Sequence, residues 1–265
     1  MLKPRPPNEF DPRPKDGDLC VGDIHADLDG FKNLLKIANW NPDTQRVFLL
    51  GDILDRGHQA KECLDFVRSN GIISILGNHC DWHYRYSKHL IEHLKTGKKI
   101  PMKLDKVHKN TFEQFSSNEE YISYMSPIID EFPLYLDFED SQGKGFLLHA
   151  GIDPFNTIED QQPDKMMVRR YHPSSDHFIE DETPEYPYWQ RSYEGHLGFI
   201  LHGHAPVPTW DFHKNSWVIS LDGGSCMGKY SKGYGVHRAM RFGDRKIFEG
   251  PASEKAVANF DRLRK

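Results

Sequence analysis

Three apolar segments near the start of the chain each end in a glycine followed by a polar residue. These endings are Gly22-Asp23, Gly51-Asp52 and Gly77-Asn78. Apolar residues recur at helical spacing between the segments, most clearly from Leu28 to Ala38 and over residues 60–68. Strands that alternate with helices indicate parallel βαβ units, and open α/β sheets bind ligands beyond the carboxyl ends of their strands. The sequence therefore predicts an α/β fold with three polar side chains at one edge of a sheet.

The rest of the chain adds two more strands of this type. One lies within residues 144–153 and ends at His149, and another ends at His204. We expect further helices over residues 80–95 and 113–125, with a basic, irregular segment at 96–110 between them. Short strands follow His204, and the tail after residue 251 is interpreted as a frayed helix.

Length and composition predict one domain. Hydrophobic residues make up 37% of the 265 residues and aromatic residues 12%, which is enough for a core and excludes a disordered chain. We expect a single domain over residues 1–265, with an extended lead-in at 1–17 and a long substrate-side excursion at 154–198. Long loops in compact domains are usually functional.

Charge and cysteine usage narrow the class of protein further. The formal net charge of −5 gives no basic footprint, so we expect no stable binding of nucleic acid. No secretory signal opens the chain, and no run approaches the ~20 apolar residues that span a bilayer. The four cysteines are scattered without CxxC pairing, so we expect a reduced, cytoplasmic protein without membrane contact. The sequence does not specify an oligomeric state.

Six polar residues at the strand ends are of the types that bind metal ions. They are Asp23, His25, Asp52, Asn78, His149 and His204. Carboxylate and imidazole together suit Mn²⁺, Fe or Zn²⁺ rather than an all-oxygen Ca²⁺ site. One Gly-Asp pair after a strand is a weak signal, and a single histidine in an apolar run is usually a core residue. Five such endings in one chain are not explained in that way.

The six residues are too many for one ion but suit two. Asp23 and His25 would bind the first ion, Asn78, His149 and His204 the second, and Asp52 would bridge both. Two ions about 3.5–4 Å apart can hold a bridging hydroxide that attacks phosphorus at neutral pH.

At this point the sequence resembles a known family. GDIHA, GDILDRG, GNH, HAG and HGHAP are similar to the signature series of the calcineurin-like metallophosphoesterases. The DRG triplet resembles the phosphoprotein phosphatase branch, which includes bacterial and phage Ser/Thr phosphatases and symmetrical diadenosine tetraphosphate hydrolases. The resemblance covers residues 18 to about 228. It implies a four-layer αββα sandwich with a dinuclear metal site at the carboxyl ends of the strands.

The resemblance also implies roles for single residues. The six strand-end residues would hold two divalent ions, with Mn²⁺ expected and Fe, Zn²⁺ or Ni²⁺ as alternatives. His79 would be the general acid, held by Asp55, and Arg56 would grip the phosphate beside Asn78. A second phosphate arginine is expected before the last histidine motif. PYWQRSY is similar to the W-x-R form of bacterial members, so Arg191 is the first choice, and the alternatives are Arg169 and Arg170.

Three departures from the family pattern stand out. Ala26 replaces a glycine, which is tolerable if its φ angle is negative. Cys80 replaces an acidic residue, so the tuning of His79 is open, and the thiol is either a buried filler or sensitive to oxidation. His202 lies two residues before His204, and the motif favours His204 as the metal ligand.

Three functions remain on this basis. The leading expectation is a phosphomonoesterase that acts on phosphorylated Ser or Thr in a protein or peptide. The alternative is a hydrolase of diadenosine tetraphosphate or of other nucleotide or RNA 5′-polyphosphates, because LLHAGIDP resembles the matching segment of the diadenosine hydrolases. A non-catalytic phosphate-binding module is the minor alternative, and it would require the loss of a ligand or of the acid.

Overall fold

The computed structural model describes residues 13–170, 187–228 and 233–265. Two mixed sheets form its centre. The strands of the first sheet are Leu19–Val21 (β1), Val47–Leu49 (β2), Ile73–Ser74 (β3), Val236–Arg241 (β8) and Ile247–Pro251 (β9). Their spatial order is β3-β2-β1-β8-β9. β1, β2 and β3 are parallel, as predicted, and β8 and β9 are antiparallel additions.

The second sheet comes from the later part of the chain. Its strands are Tyr135–Asp140 (β4), Gly143–Leu148 (β5), Phe199–His202 (β6) and Val218–Ser220 (β7), in that spatial order. β5, β6 and β7 are parallel, and β4 pairs antiparallel with β5 as a hairpin. The carboxyl ends of β5, β6 and β7 therefore share one edge of this sheet.

The two sheets pack face to face through alternate side chains. Cys20 and Phe48 of the first sheet lie in one buried apolar cluster with Phe138, Leu147 and Leu201 of the second. Their neighbours in sequence point the other way, as the two-residue period of a strand requires. Those neighbours belong to a larger cluster shared with the helices. The predicted αββα layering is confirmed.

Helices cover the outer faces of the sheets. They are Leu28–Ile37 (α1), Ala60–Ser69 (α2), Asn78–Thr96 (α3), Lys106–Phe112 (α4), Asn118–Met125 (α5), Ile128–Glu131 (α6), Pro163–Met166 (α7) and Glu254–Arg264 (α8). Short 3₁₀ turns lie at Trp189–Ser192 and Ser225–Met227. None of the helices in the described part of the chain combines the length and apolar character needed to cross a membrane.

Helix α1 shows how sequence sets these elements. The Asp27 side chain caps its first turn and accepts a hydrogen bond from the Gly30 amide at 3.1 Å. Phe31, Leu34 and Leu35 then fall on one buried face. Each fully buried side chain of this size contributes about 2 kcal/mol relative to an exposed one. The predicted helix from Leu28 is thus confirmed.

Several predicted elements differ from the structure. The helix expected over 113–125 begins later, at Asn118 (α5), because Ser117 caps it by accepting from the Glu120 amide. α4 also begins inside the segment predicted to be irregular, where Asp105 caps it. Strand β4 was not predicted. The tail is a capped helix, with Ser253 accepting from the Ala256 amide. Residues 171–186 of the predicted excursion lie outside the described residues. A single domain over residues 1–265 stays a prediction.

Candidate metal centre

The structure brings the six predicted ligand side chains together where the two sheets meet. Asn78 begins α3 four residues after the end of β3, and its Oδ1 lies 3.0 Å from His149 Nε2 and 2.9 Å from His204 Nδ1. His149 Nε2 also lies 3.2 Å from Asp52 Oδ2. These four residues therefore form one compact group of nitrogen and oxygen donors.

Asp23 and His25 lie on the adjacent side of Asp52. His25 Nε2 is 3.7 Å from Asp23 Oδ2, and the His25 amide donates to the carbonyl of Asp52 at 3.0 Å. The His204 amide donates to both carboxylate oxygens of Asp23 at 3.1 Å. One donor atom each from His25, Asp52 and His79 lies within 4.8 Å of the other two, and the same holds for Asp52, His149 and His204.

Hydrogen bonds fix which nitrogen each histidine presents. His149 Nδ1 donates to the carbonyl of Leu50 at 2.6 Å, and His25 Nδ1 donates to that of Leu54 at 3.0 Å. Each ring therefore presents Nε2 to the interior, the usual arrangement of a metal-ligating histidine. His25 Nε2 is buried without a hydrogen-bond partner among the described residues. A cation at this nitrogen would satisfy it.

Electrostatics support the same fit. Burial, with the neighbouring Asp222 and Asp52 carboxylates, raises the pKa of Asp23 well above its usual value. Burial alone would lower the pKa of His149, but the Asp52 carboxylate raises it to about 9. The oxygen ligands thus favour positive charge in the space between them. Divalent cations would supply that charge and neutralise the carboxylates, so the residues present fit a pair of such ions.

Backbone geometry at the strand ends is specialised. Gly51 has a φ of +98°, which glycine adopts without strain, and Asp52 itself has a φ of +41°. Gly77 serves a different purpose, because a Cβ there would lie 2.2 Å from Asp52 Oδ1. Gly77 thus allows the first turn of α3 to approach the carboxylate that the two groups share.

Ala26 does not have the negative φ angle that would make alanine tolerable at this position. Its φ is +53°, in the left-handed region where a non-glycine residue is strained by about 1 kcal/mol. The backbone is held there by bonds from its amide to the Ile53 carbonyl and from the His58 and Gln59 amides to its own carbonyl. The methyl group is fully buried, so the departure from glycine is accommodated at a cost in strain.

His79 lies beside this centre and is bonded to Asp55. His79 Nδ1 is 2.6 Å from Asp55 Oδ2, and the His79 amide donates to Asp52 Oδ1 at 3.0 Å. Asp55 also accepts from His83 Nε2 at 2.8 Å and from the Thr111 hydroxyl at 2.6 Å. Burial alone would raise the pKa of Asp55, but His83 and His79 hold it well below its usual value. Asp55 is thus a fixed carboxylate that orients the His79 ring.

Aromatic rings support the same histidine from α3 and α4. His108 lies 6.0 Å from the His79 ring and stacks on Trp82 with centroids 3.7 Å apart. Trp82 stacks in turn on Tyr86 at 5.2 Å. These rings restrict the space into which His79 can move.

The candidate phosphate arginines lie in different places. Arg56 has a φ of +66°, and its positive charge contributes, after burial, to the lowered pKa of His25. Arg170 Nε lies 3.4 Å from His204 Nε2. Arg191 is exposed and lines a cleft with Thr209, Asp211, Phe212 and Lys214. The structure therefore places Arg170, an alternative in the sequence analysis, against a predicted metal ligand.

The other two departures from the family pattern, Cys80 and His202, are both buried. Cys80 is fully buried, and burial raises the pKa of its thiol, so the thiol is a protonated filler rather than a reactive group. His202 Nδ1 bonds to the carbonyl of Gly203, and its Nε2 contacts Gln190 and Ser220. Burial lowers the pKa of His202 to about 4, and both of its nitrogens are engaged, which leaves His204 as the available ligand.

The sequence analysis missed three residues of this region. His83 follows His79 by four positions on α3, so helical spacing places it on the same face. Thr111 carried no sequence signal, because its contact with Asp55 depends on how α4 packs. Asp222 follows the apolar strand β7, but Leu221 rather than a glycine precedes it, so it lacks the full pattern that identified Asp23 and Asp52.

Comparison with known proteins identifies the family. Residues 19–241 match the family model of the calcineurin-like phosphoesterases. A symmetrical bis(5′-nucleosyl)-tetraphosphatase of Actinobacillus pleuropneumoniae is 32% identical over 137 residues, which are 51% of this chain and 44% of that protein. An asymmetrical bis(5′-nucleosyl)-tetraphosphatase of Anoxybacillus flavithermus is 24% identical over 90% of this chain and 95% of its own. The chain thus spans less than half the length of the first of these relatives.

Solved structures share the fold. A crystal structure of a candidate diadenosine tetraphosphatase has a TM-score of 0.65 at 18% identity and covers 89% of this chain and 93% of its own. A Ser/Thr protein phosphatase of Saccharomyces cerevisiae has a TM-score of 0.53 at 14% identity and covers 91% and 84%. With the family model matching residues 19–241, this chain belongs to the calcineurin-like phosphoesterase family.

Proposed function

We propose that this chain hydrolyses bis(5′-nucleosyl) tetraphosphates, the alternative of the sequence analysis. The observation that carries the proposal is that both sequence relatives described above are named bis(5′-nucleosyl)-tetraphosphatases, one of them matched over nearly the whole chain. The likeness to the yeast Ser/Thr phosphatase concerns the fold alone. The expectation of a phosphoprotein substrate rests on the DRG triplet. The family branch with this triplet includes both activities, so the triplet does not separate the two substrates.

The proposed site holds two divalent cations, with Mn²⁺ expected. Asp23 and His25 would hold one, Asn78, His149 and His204 the other, and Asp52 both. When bound, such ions supply a nucleophilic oxygen at neutral pH and positive charge against the phosphates. The neutral amide of Asn78 limits the negative charge of the site, which favours the approach of a polyphosphate.

His79 would donate the proton that the departing phosphate oxygen requires. Its Nδ1 is bound to the Asp55 carboxylate, so its Nε2 is the nitrogen that can transfer a proton, and 15% of the side chain remains exposed. A positioned general acid of this kind contributes about 10²–10⁴-fold to the rate.

Two arginines would bind phosphate oxygens. Arg56 lies in the turn after Asp55, and Arg170 lies against His204. The guanidinium group matches two phosphate oxygens at once and keeps its charge at every pH of interest. A polyphosphate chain presents several such oxygens in a row, whereas a phosphoserine presents one phosphoryl group.

The proposal is tested by product analysis with Mn²⁺-loaded protein. We expect metal-dependent cleavage of diadenosine tetraphosphate, with ADP alone as product if cleavage is symmetrical, or ATP and AMP if it is asymmetrical. The matched variant His79→Asn keeps the amide that contacts Asp52 but has no acid. It should lose turnover by about 10²–10⁴-fold with unchanged Mn²⁺ content. Faster release of phosphate from a phosphopeptide than cleavage of the nucleotide would overturn the substrate assignment.

A cytoplasmic location stays a prediction. The four cysteines are buried free thiols, which suits a reducing compartment.

A further inference from the structure

Asp222 is a buried carboxylate that the residue roles above leave unused. It lies two residues after the end of β7, beside the strand ends that carry His149 and His204. The residue is fully buried. Its Oδ1 accepts from the Gly224 amide at 2.8 Å, and its carbonyl accepts from the Val207 amide at 3.0 Å. Its Oδ2 has no hydrogen-bond partner among the described residues.

The backbone around Asp222 is held firmly against β1. A Cβ on Gly22 would lie 2.1 Å from the carbonyl oxygen of Leu221, so glycine is required for this contact. The buried Arg238 guanidinium donates to the Asp222 carbonyl at 3.4 Å and to the Val207 carbonyl at 2.8 Å. The position of the Asp222 carboxylate is therefore fixed by the fold.

The backbone of Asp222 lies beside the first group of ligands. A Cβ on Gly22, the residue before Asp23, would lie 3.1 Å from the Asp222 amide nitrogen. Asp222 Oδ2 and His25 Nε2 are both buried without a hydrogen-bond partner among the described residues, and His25 Nε2 lies 3.7 Å from Asp23 Oδ2. A buried carboxyl oxygen without a partner is unfavourable unless a cation or another donor compensates for it.

We propose that Asp222 is a seventh residue of the metal centre, on the side of the cation held by Asp23 and His25, either as a direct ligand or through one water. The inference rests on the proposed two-cation function. The first cation would otherwise have three protein ligands and the second four, and Asp222 supplies the missing donor on the poorer side. A cation at this position would also explain why the buried Oδ2 of Asp222 has no partner among the described residues.

Arg56 offers a competing explanation. Its charge acts on Asp222, so the carboxylate could instead orient the arginine that binds phosphate. The two roles predict different results. Loss of a metal residue weakens cation binding in the absence of substrate, whereas loss of an arginine partner raises KM and leaves cation binding unchanged.

The test measures Mn²⁺ binding to metal-free protein by calorimetry and by the signal of free Mn²⁺ in electron paramagnetic resonance. For Asp222→Asn we expect one of two Mn²⁺ ions to bind about 10–100-fold more weakly. The control Asp140→Asn removes a buried carboxylate that pairs with Arg245 at the opposite end of β5, and its Mn²⁺ binding should match wild type. Asp222→Glu keeps the charge and should restore part of the affinity.

A second readout covers the folding of the variant. Removing one of several mutually repelling carboxylates should leave the metal-free Tm of Asp222→Asn equal to or above that of wild type, while the rise in Tm on adding Mn²⁺ becomes smaller. Wild-type Mn²⁺ affinity in Asp222→Asn, with or without a change in KM, overturns the inference. If wild type binds no Mn²⁺, the proposed two-cation function fails instead, and the two failures are distinguished.

Discussion

Replacing Thr111 by valine tests whether the buried bonds to Asp55 hold the candidate acid in place. Thr111 is fully buried, and its hydroxyl donates to Asp55 Oδ1 at 2.6 Å. Valine has nearly the same volume, so the change removes one of three donors to this carboxylate without a cavity. A hydrogen bond to a charged group contributes about 1.5–3 kcal/mol. We therefore expect the free energy of unfolding to fall by about 1.5–3 kcal/mol at pH 7.

The matched control has the same chemistry on the surface. The Thr157 hydroxyl donates to Asp160 Oδ2 at 2.8 Å, but both residues are exposed. Water replaces an exposed bond at little cost, so Thr157→Val should unfold at nearly the same denaturant concentration as wild type. Urea unfolding of both variants at one fixed Mn²⁺ concentration measures the difference.

The catalytic readout separates positioning from folding. Thr111 does not touch the predicted ligands, so Thr111→Val should keep its Mn²⁺ content and lose turnover by less than His79→Asn does. His83 and His79 still donate to Asp55 in this variant, which limits the loss. Equal stability losses in Thr111→Val and Thr157→Val, or wild-type stability in both, would refute the reasoning that burial makes this bond strong.

Three further outcomes are expected. Arg170→Ala should lower kcat/KM for a dinucleoside tetraphosphate by tenfold or more, while Arg191→Ala should change it little. Steady-state kinetics of both variants measure this, and the reverse result would restore Arg191 as the phosphate arginine. Burial alone would raise the pKa of Asp27, but the bond from His237 lowers it to about 2. The charged carboxylate should therefore add about 2 kcal/mol to the free energy of unfolding above pH 4, and this contribution should be lost between pH 4 and 2. Acid titration of Asp27→Asn should lack that loss, and an unchanged acid transition would contradict it. Chelation should abolish activity and lower Tm, and added Mn²⁺ should restore both; activity that survives full metal removal would exclude the proposed chemistry.

The strand-end residues were predictable because a local pattern carries them. An apolar strand, a glycine and a polar residue occupy consecutive positions at Asp23, Asp52 and Asn78, and parallel strands place such ends at one edge. His149 and His204 were grouped with them because they too end apolar strands and are of a metal-binding type, and the family resemblance implied the same set. Periodicity alone does not show that a second sheet packs with its strand ends against those of the first.

Features that depend on tertiary contact were not predictable in this way. α4 starts within a lysine-rich segment whose composition is typical of an exposed loop, and burial of Thr111 against Asp55 decides its position. The sign of the φ angle at Ala26 depends on bonds from residues 58 and 59, which lie more than thirty positions away. The choice between Arg170 and Arg191 depends on the path of the chain before β6, which carries no periodic signal.

The location of the centre between two sheets has a consequence for its chemistry. The first sheet supplies Asp23 and Asp52, and the second supplies His149 and His204, so cations bound here would connect the sheets at this edge. The bond from His149 Nδ1 to the Leu50 carbonyl already crosses between them and fixes the ring before any ion binds. Because these four ligands lie just beyond the ends of buried strands, their donor positions are set by the packing of the core. Packing of the core thus holds like charges together at a cost in electrostatic free energy, and bound cations would offset that cost.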